Sequence, residues 1–203
     1  MMTSPLGCLH PRNLLTYASL LCAVFAVASA TRGSAAGAGT FIALSVIADT
    51  CDGRFARLFG ADATQRSFGS HLDSLSDAIA FGIAPVVCAA VLIASAAPAS
   101  PALLWWLAAF CYAACAVTRL GFYHLPHASA SVFIGLPVPV AALIWTTALL
   151  WGPAPAVSAA VFLTTGAAMV VPLPISRPSG LRLALFILWP AVVAGVHSAT
   201  LVA

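Results

Sequence analysis

Asp49-Thr50-Cys51-Asp52-Gly53-Arg54-Phe55-Ala56-Arg57, continued by Gly69-Ser70-His71-Leu72-Asp73-Ser74-Leu75-Ser76-Asp77, holds four of the five acidic residues of the protein. Strongly apolar sequence flanks both stretches. In a helix, residues three or four apart share a face, so Asp49 with Asp52 and Asp73 with Asp77 form two carboxylate pairs on two neighbouring helices. Brought together, the pairs make a four-carboxylate cluster. Like charges that close repel strongly, and near a bilayer each costs several kcal/mol unless it is neutralised. Divalent cations would neutralise them. Oxygen-only ligands suit magnesium or manganese, whose usual companions are substrate phosphates, and a two-metal carboxylate site points to phosphoryl transfer. Gly53 directly follows a carboxylate and Gly69 opens the second helix, both places where a substrate can approach the backbone closely. Arg57, four residues after Gly53, is placed to meet a phosphate. The competing reading, a polar hairpin in which Asp and Arg pair with each other, leaves too many carboxylates for the few cations nearby.

The flanking sequence sets the fold class. Of 203 residues, 62% are hydrophobic and 6% charged, and the mean hydropathy of +1.06 is far above that of a soluble domain. These values predict an all-α, polytopic transmembrane helix bundle in one domain over residues 1–203. Apolar segments lie near 13–31, 36–58, 70–97, 102–122, 132–151, 154–172 and 180–202. Each approaches the roughly 20 residues that cross about 30 Å of hydrocarbon, so about six or seven helices span. Ala28-Ser29-Ala30 resembles a signal-peptide cleavage site, but the later segments need the first as a span, and 13–31 is read as a retained helix. Pro and Gly mark the connections, as in Ala97-Pro98, Trp151-Gly152-Pro153 and Arg177-Pro178-Ser179-Gly180.

Arginine distribution orients the bundle. Alternating spans from a cytoplasmic start puts Arg12, Arg54, Arg57, Arg66, Arg119, Arg177 and Arg182 inside and Arg32 alone outside, in keeping with the positive-inside rule. The aspartates then face the cytoplasm, in a multi-pass protein of the inner (cytoplasmic) membrane. A formal net charge of +3 suits an anionic leaflet and calls for no nucleic-acid partner. The six cysteines form no C-x-x-C pair and read as small hydrophobes. His71 points to a different helix face from the carboxylates, His124 and His127 follow the fourth helix, and His197 sits in the last; none is spaced as a ligand pair, and each reads as structural.

The pattern D-x-x-D-G-x-x-A-R, then G-x-x-x-D-x-x-x-D, resembles the signature of the CDP-alcohol phosphatidyltransferases, integral membrane enzymes of phospholipid synthesis. Eight spaced positions match. The resemblance implies that two Mg²⁺ or Mn²⁺ ions held by Asp49, Asp52, Asp73 and Asp77 clamp the pyrophosphate of CDP-diacylglycerol and stabilise CMP as leaving group. It implies that Gly53, Ala56, Arg57 and Gly69 line the nucleotide side, and that Asp77 is the general base for the incoming alcohol. The residues alone do not separate Asp77 from Asp73 in that role. The connection Leu58–Phe68 is a few residues longer than is usual in the family, whose members commonly place a hydroxyl there on the nucleotide phosphates; Thr64 and Ser67 are the candidates, and Asp62 reads as solvated. The family also commonly forms homodimers, and small residues such as Gly37-Ala38-Gly39 permit close helix packing.

The run Leu72–Pro85 is similar to the serine-using branch of the family, as are Arg119-Leu120 with Phe122 and Phe133-x-Gly135-Leu136-Pro137-x-Pro139. That similarity implies L-serine as acceptor and phosphatidylserine as product. Arg119 is a lone cation at the end of an apolar helix, suited to a serine carboxylate, to the aspartates, or to lipid phosphates. Gly135–Pro139 either interrupts a helix beside a cavity or marks a helix start at the interface. Met169-Val170-Val171-Pro172 departs from the branch, which tends to carry polar residues there, so glycerol 3-phosphate or inositol phosphate stays open as acceptor. From another class, a divalent-cation transporter or an inactive scaffold could use the same carboxylates, although a transporter would spread acids along a path rather than hold them at one depth.

Overall fold

The computed structural model describes residues 8–96, 102–125, 132–152, 154–176 and 181–202. Pro11–Asn13 forms a short 3₁₀ turn that leads into α1 (Leu14–Thr31). Gly33, at φ 76°, closes the tight connection to α2 (Ala35–Phe55), and the Ser34 hydroxyl caps α2 by accepting from Gly37 N at 3.0 Å. These two helices pack antiparallel along their length. Ala23, Ala26 and Ala30 meet Ala38, Ile42, Ala43 and Val46 in one buried core, and Gly37 lets Ser29 approach, since a Cβ there would lie 2.8 Å from Ser29 Cβ. Deeper in the pair, the Ser45 hydroxyl donates to Ser19 O at 3.0 Å; a polar side chain is thereby satisfied inside an apolar interface.

A continuous helix follows, α3 (Ala63–Asp77), a π-helical turn (Ala78–Ile83) and α4 (Ala84–Ala96). Asp62 starts it with a capping box: its carboxylate accepts from Gln65 N at 2.7 Å and Gln65 Oε1 accepts from Asp62 N at 3.0 Å. Asp62 is exposed, as expected, but it also caps, and the expected helix opening at 70 is corrected: the cap starts the helix seven residues earlier. Pro85 explains the π turn. It has no N–H to give to Phe81 O, the α-helical acceptor four residues back, and Ala84 N–H reaches back to Ile79 O instead. The freed Phe81 carbonyl accepts from Tyr112 Oη at 2.8 Å, and Gly82 allows Ala116 close by. Such widened turns occur often at functional sites, and this one begins directly after Asp77. Tyr112 is fully buried, so Tyr112→Phe should leave that carbonyl unpaired in the core. The expected loss is about 1–3 kcal/mol, read as a lower midpoint of thermal unfolding in detergent.

The rest of the bundle is α5 (Leu103–Phe122), α6 (Val138–Ala148) with a 3₁₀ extension to Trp151, α7 (Pro155–Val170) and α8 (Leu181–Val202). A small antiparallel pair, β1 (Val132–Ile134) with β2 (Pro174–Ser176), joins the segments before α6 and after α7. Helix α6 therefore begins at 138 rather than 132. Gly135 explains the break: its φ is 74°, and a Cβ would lie 2.0 Å from Met169 O, while Leu136 N donates to Ala168 O at 2.8 Å. His197 of α8 is structural, as expected: Nε2 donates to Thr146 O at 3.0 Å, and its ring fills the space left by Gly39.

By length and composition, Pro11–Thr31, Ala63–Ala96 and Leu103–Phe122 can cross a membrane, and Val138–Trp151, Pro155–Val170 and Phe186–Leu201 are shorter apolar helices. Large apolar side chains face outward, among them Leu21, Phe25, Leu104, Phe110, Leu163 and Leu188. Alanines and a few large residues such as Trp145, Phe81 and Phe162 fill the interior. A helical bundle with small residues inside and bulky apolar ones outside is what lipid as solvent favours; the strand pair is the one non-helical pairing among the described residues.

Candidate active site

Asp49 and Asp52 lie near the C-terminal end of α2, and Asp73 and Asp77 at that of α3. One carboxylate oxygen from each of Asp49, Asp52 and Asp73 lies within 4.8 Å of the other two, and all three side chains are partly buried. Asp77 adjoins Asp49 closely enough for their carboxyls to share a hydrogen bond, and Asp52 meets Asp73 in the same way. The four aspartates picked from spacing thus converge. They are not consumed by arginine pairing: Arg57 Nε donates to Gly53 O at 3.1 Å, and Arg66 donates to Ala61 O. Thr16 of α1 donates to Asp52 Oδ2 at 3.2 Å, while Asp73 Oδ1 is buried with no hydrogen-bond partner. An orphaned carboxylate oxygen inside an all-oxygen cluster is the donor set of a hard divalent cation, and these residues fit one.

Two cavities meet at the cluster, and Asp52, Ser70 and Asp73 line both. The smaller, about 220 Å³, is walled by Arg12, Asn13 and Thr16 on one side and by Gly53, Ala56 and Gly69 on the other. Gly53 faces open space: no atom lies within 4 Å of the position a Cβ would take, as close approach by a substrate requires. Gly69 is different. A Cβ there would press on Asn13 Oδ1, at 3.1 Å, and reach ordinary contact with Arg12 Nε, at 3.7 Å. Arg57 is exposed and lies outside this lining, and so do Thr64 and Ser67. Thr64 and Ser67 are exposed on α3, and the hydroxyl that lines the cavity is that of Ser70.

The larger cavity, about 660 Å³, is lined by Asp49 and Asp77 together with the apolar Leu136, Val140, Phe186 and Trp189. Arg119 enters it from the last turn of α5. The side chain is 8% exposed, yet Nε and Nη2 have no hydrogen-bond partner. Its guanidinium carbon sits 4.8 Å from the centroid of the Tyr123 ring, and Asp77 lies within range of its charge. Tyr123 is fixed in turn by β1, since its hydroxyl accepts from Ile134 N at 2.6 Å and donates to Ile134 O at 3.1 Å. The strand pair therefore positions the platform under Arg119. His71 and His124, read separately from sequence, stack with centroids 4.9 Å apart, and His124 Nε2 hydrogen-bonds Ser74 Oγ at 2.8 Å. Arg177 and His127 lie outside the described residues, and so does the side chain of Arg182.

A family model described as CDP-alcohol phosphatidyltransferase matches residues 9–195. The chain belongs to the CDP-alcohol phosphatidyltransferase family. Similar proteins include the CDP-diacylglycerol–serine O-phosphatidyltransferase of Mycobacterium leprae, 36% identical over 109 residues, which are 50% of this chain and 34% of that protein. The Bacillus subtilis protein of the same name is 28% identical over 130 residues, 64% of this chain and 70% of the relative. The archaetidylserine synthase of Methanothermobacter thermautotrophicus is 36% identical over 120 residues, 59% and 49% of the two chains. The chain spans about half the length, or less, of the mycobacterial relatives it matches. Membership of this family, the converging aspartates and the apolar helices agree on a membrane protein with an acidic cluster suited to divalent cations.

Residues of the first helix were not legible from the motif. Arg12, Asn13 and Thr16 sit more than thirty positions before Asp49, and only the antiparallel packing of α1 on α2 brings them to the site. Ser70 was within the quoted motif, one residue after Gly69, where its shared position between the cavities follows from the helix beginning at 63.

Proposed function

We propose that this protein transfers the phosphatidyl group of CDP-diacylglycerol to L-serine, giving phosphatidylserine and CMP. The observation that carries this reading is the buried Arg119 side chain, whose Nε and Nη2 have no hydrogen-bond partner, in the same cavity as Asp77 and beside a carboxylate cluster that opens toward two cavities. Two divalent cations, Mg²⁺ or Mn²⁺, bound at Asp49, Asp52, Asp73 and Asp77 would supply charge neutralisation for the pyrophosphate and for the departing nucleotide. The smaller cavity takes the nucleotide, with Gly53 open to its close approach and Ala56 and Gly69 in the wall. The larger cavity takes the acceptor, and its apolar lining at Phe186 and Trp189 takes the lipid side of the donor. Arg119 holds the serine carboxylate through Nε and Nη2, a charge-assisted pairing well matched to a guanidinium fork. Asp77 accepts the proton of the serine hydroxyl as that oxygen bonds to the β-phosphorus, and the bond from this phosphorus to the CMP oxygen breaks. CMP leaves toward water and the lipid product toward the bilayer.

Arginines support the orientation: Arg12, Arg66 and Arg119 line the two cavities at the aspartate end, whereas Arg32 caps the opposite end of α1. On that basis the site faces the cytoplasm from the inner membrane, among membrane lipids, and the protein forms homodimers as the family commonly does.

Arg119→Gln should raise the KM for serine at least about tenfold, since hydrogen bonds to charged groups are worth about 1.5–3 kcal/mol, with a smaller change in KM for CDP-diacylglycerol. The acceptor itself is tested by mass spectrometry of the lipid product from CDP-diacylglycerol with serine, glycerol 3-phosphate and inositol phosphate competing at equal concentration. Phosphatidylserine as the main product supports the proposal. Phosphatidylglycerol phosphate or a phosphatidylinositol phosphate as the main product keeps the chemistry and removes serine.

A further inference from the structure

Among the described residues lining the smaller cavity, one cation has a buried donor with nothing to bind. Arg12 Nε is enclosed and has no hydrogen-bond partner. Its backbone is fixed locally, because Arg12 N donates to His10 Nδ1 at 3.3 Å and Asn13 N donates to His10 O at 3.0 Å, in the 3₁₀ turn that Pro11 begins. The guanidinium is thus held over the cavity without being engaged through Nε. Gly69, on the facing helix, has no Cβ, and one placed there would sit 3.7 Å from Arg12 Nε and 3.1 Å from Asn13 Oδ1. Of the other arginines at this end, Arg54 and Arg57 do not line the cavity, and Arg57 donates to Gly53 O; Arg66 lines it but donates Nη1 to Ala61 O.

We propose that Arg12 is the phosphate-binding arginine of the nucleotide cavity. The inference rests on the cavity being the nucleotide side of the site described above. Its physical logic is the division of charge. Asp52 and Asp73 line the cavity as carboxylates, which with their cations attract one side of a phosphate; Arg12 approaches from the turn before α1 and presents a planar fork to the remaining oxygens. About 220 Å³ suits part of a nucleoside monophosphate rather than a diacyl chain. The segment ahead of the first span then belongs to the substrate site, and the pocket is complete only when α1 is docked on α3.

Binding of CMP and of cytidine to the purified full chain, in detergent with Mn²⁺, tests this by calorimetry. For CMP, Arg12→Gln should weaken binding about tenfold or more, the scale of a charged hydrogen bond, and Arg12→Lys should fall between the two. Cytidine, which has no phosphate, should bind wild type and Arg12→Gln alike. Equal CMP affinity in wild type and both Arg12 variants overturns the inference while leaving the proposed reaction standing, and so does an equal loss of cytidine and CMP, which would mark a structural role. Absence of binding of both CMP and CDP-diacylglycerol to the wild type overturns both readings together. Arg12→Lys retains the charge and the stem packing, and serves where Arg12→Gln does not fold.

Discussion

Asp77→Asn should lower kcat by about 10²- to 10⁴-fold, the usual worth of a positioned general base, and by more than it weakens Mn²⁺ binding. The structure gives a reason to separate Asp77 from its neighbours that spacing did not. Asp49, Asp52 and Asp73 bring one oxygen each within 4.8 Å of the other two, whereas Asp77 joins through Asp49 and lies within charge range of Arg119 in the larger cavity. If Arg119 anchors the acceptor carboxylate, the acceptor hydroxyl is delivered to the Asp77 side of the cluster. The amide of Asn keeps the side-chain shape but cannot accept that proton. The check is single-turnover kinetics beside Mn²⁺ titration followed by electron paramagnetic resonance. A loss of Mn²⁺ affinity that accounts for the whole loss of rate would leave Asp77 a ligand only and remove its role as base.

The second large effect concerns the cations themselves. Chelation with EDTA should abolish transfer, and Mg²⁺ or Mn²⁺ should restore it, since no described arginine is committed to the cluster in their place. Asp52→Asn and Asp73→Asn should each raise the cation concentration needed for half-activity by at least about tenfold, in line with the loss of one charged ligand. Stability should respond with the opposite sign. Without cations the four carboxylates repel, so removing one charge by Asp52→Asn should raise the unfolding midpoint of the cation-free protein. With cations bound, the same variant should melt lower than the wild type, because binding to the folded state alone stabilises it by mass action. Differential scanning fluorimetry with and without Mn²⁺ reads both.

How much of this was open to sequence reading follows from the range of the interactions involved. The aspartates were legible because helical periodicity puts residues three and four apart on one face, and the packing of α2 and α3 against α1 did the rest. The spans were legible because lipid imposes length and composition. Departures came where local chemistry overrode composition. Asp62 and Gln65 form a capping box that starts α3 before the apolar run begins. Gly135 adopts positive φ against Met169 O, which ends the apolar segment at 132–137 as a helix and turns it into a strand and a bend. Pro85 carried a signal for the widened turn after Asp77, but its consequence depends on Tyr112 supplying the missing donor from α5. The contributions of Arg12, Thr16 and the stacked His71 and His124 are long-range contacts between elements whose spacing in sequence says nothing of their meeting.

Release of radiolabelled CMP from CDP-diacylglycerol by the purified protein, with Mn²⁺ and serine, tests the central claim most directly. The account predicts release that requires both serine and Mn²⁺ and falls to background in Asp77→Asn. Release independent of the cation, equal release by Asp77→Asn, or no release with any acceptor in active lipid conditions would contradict it.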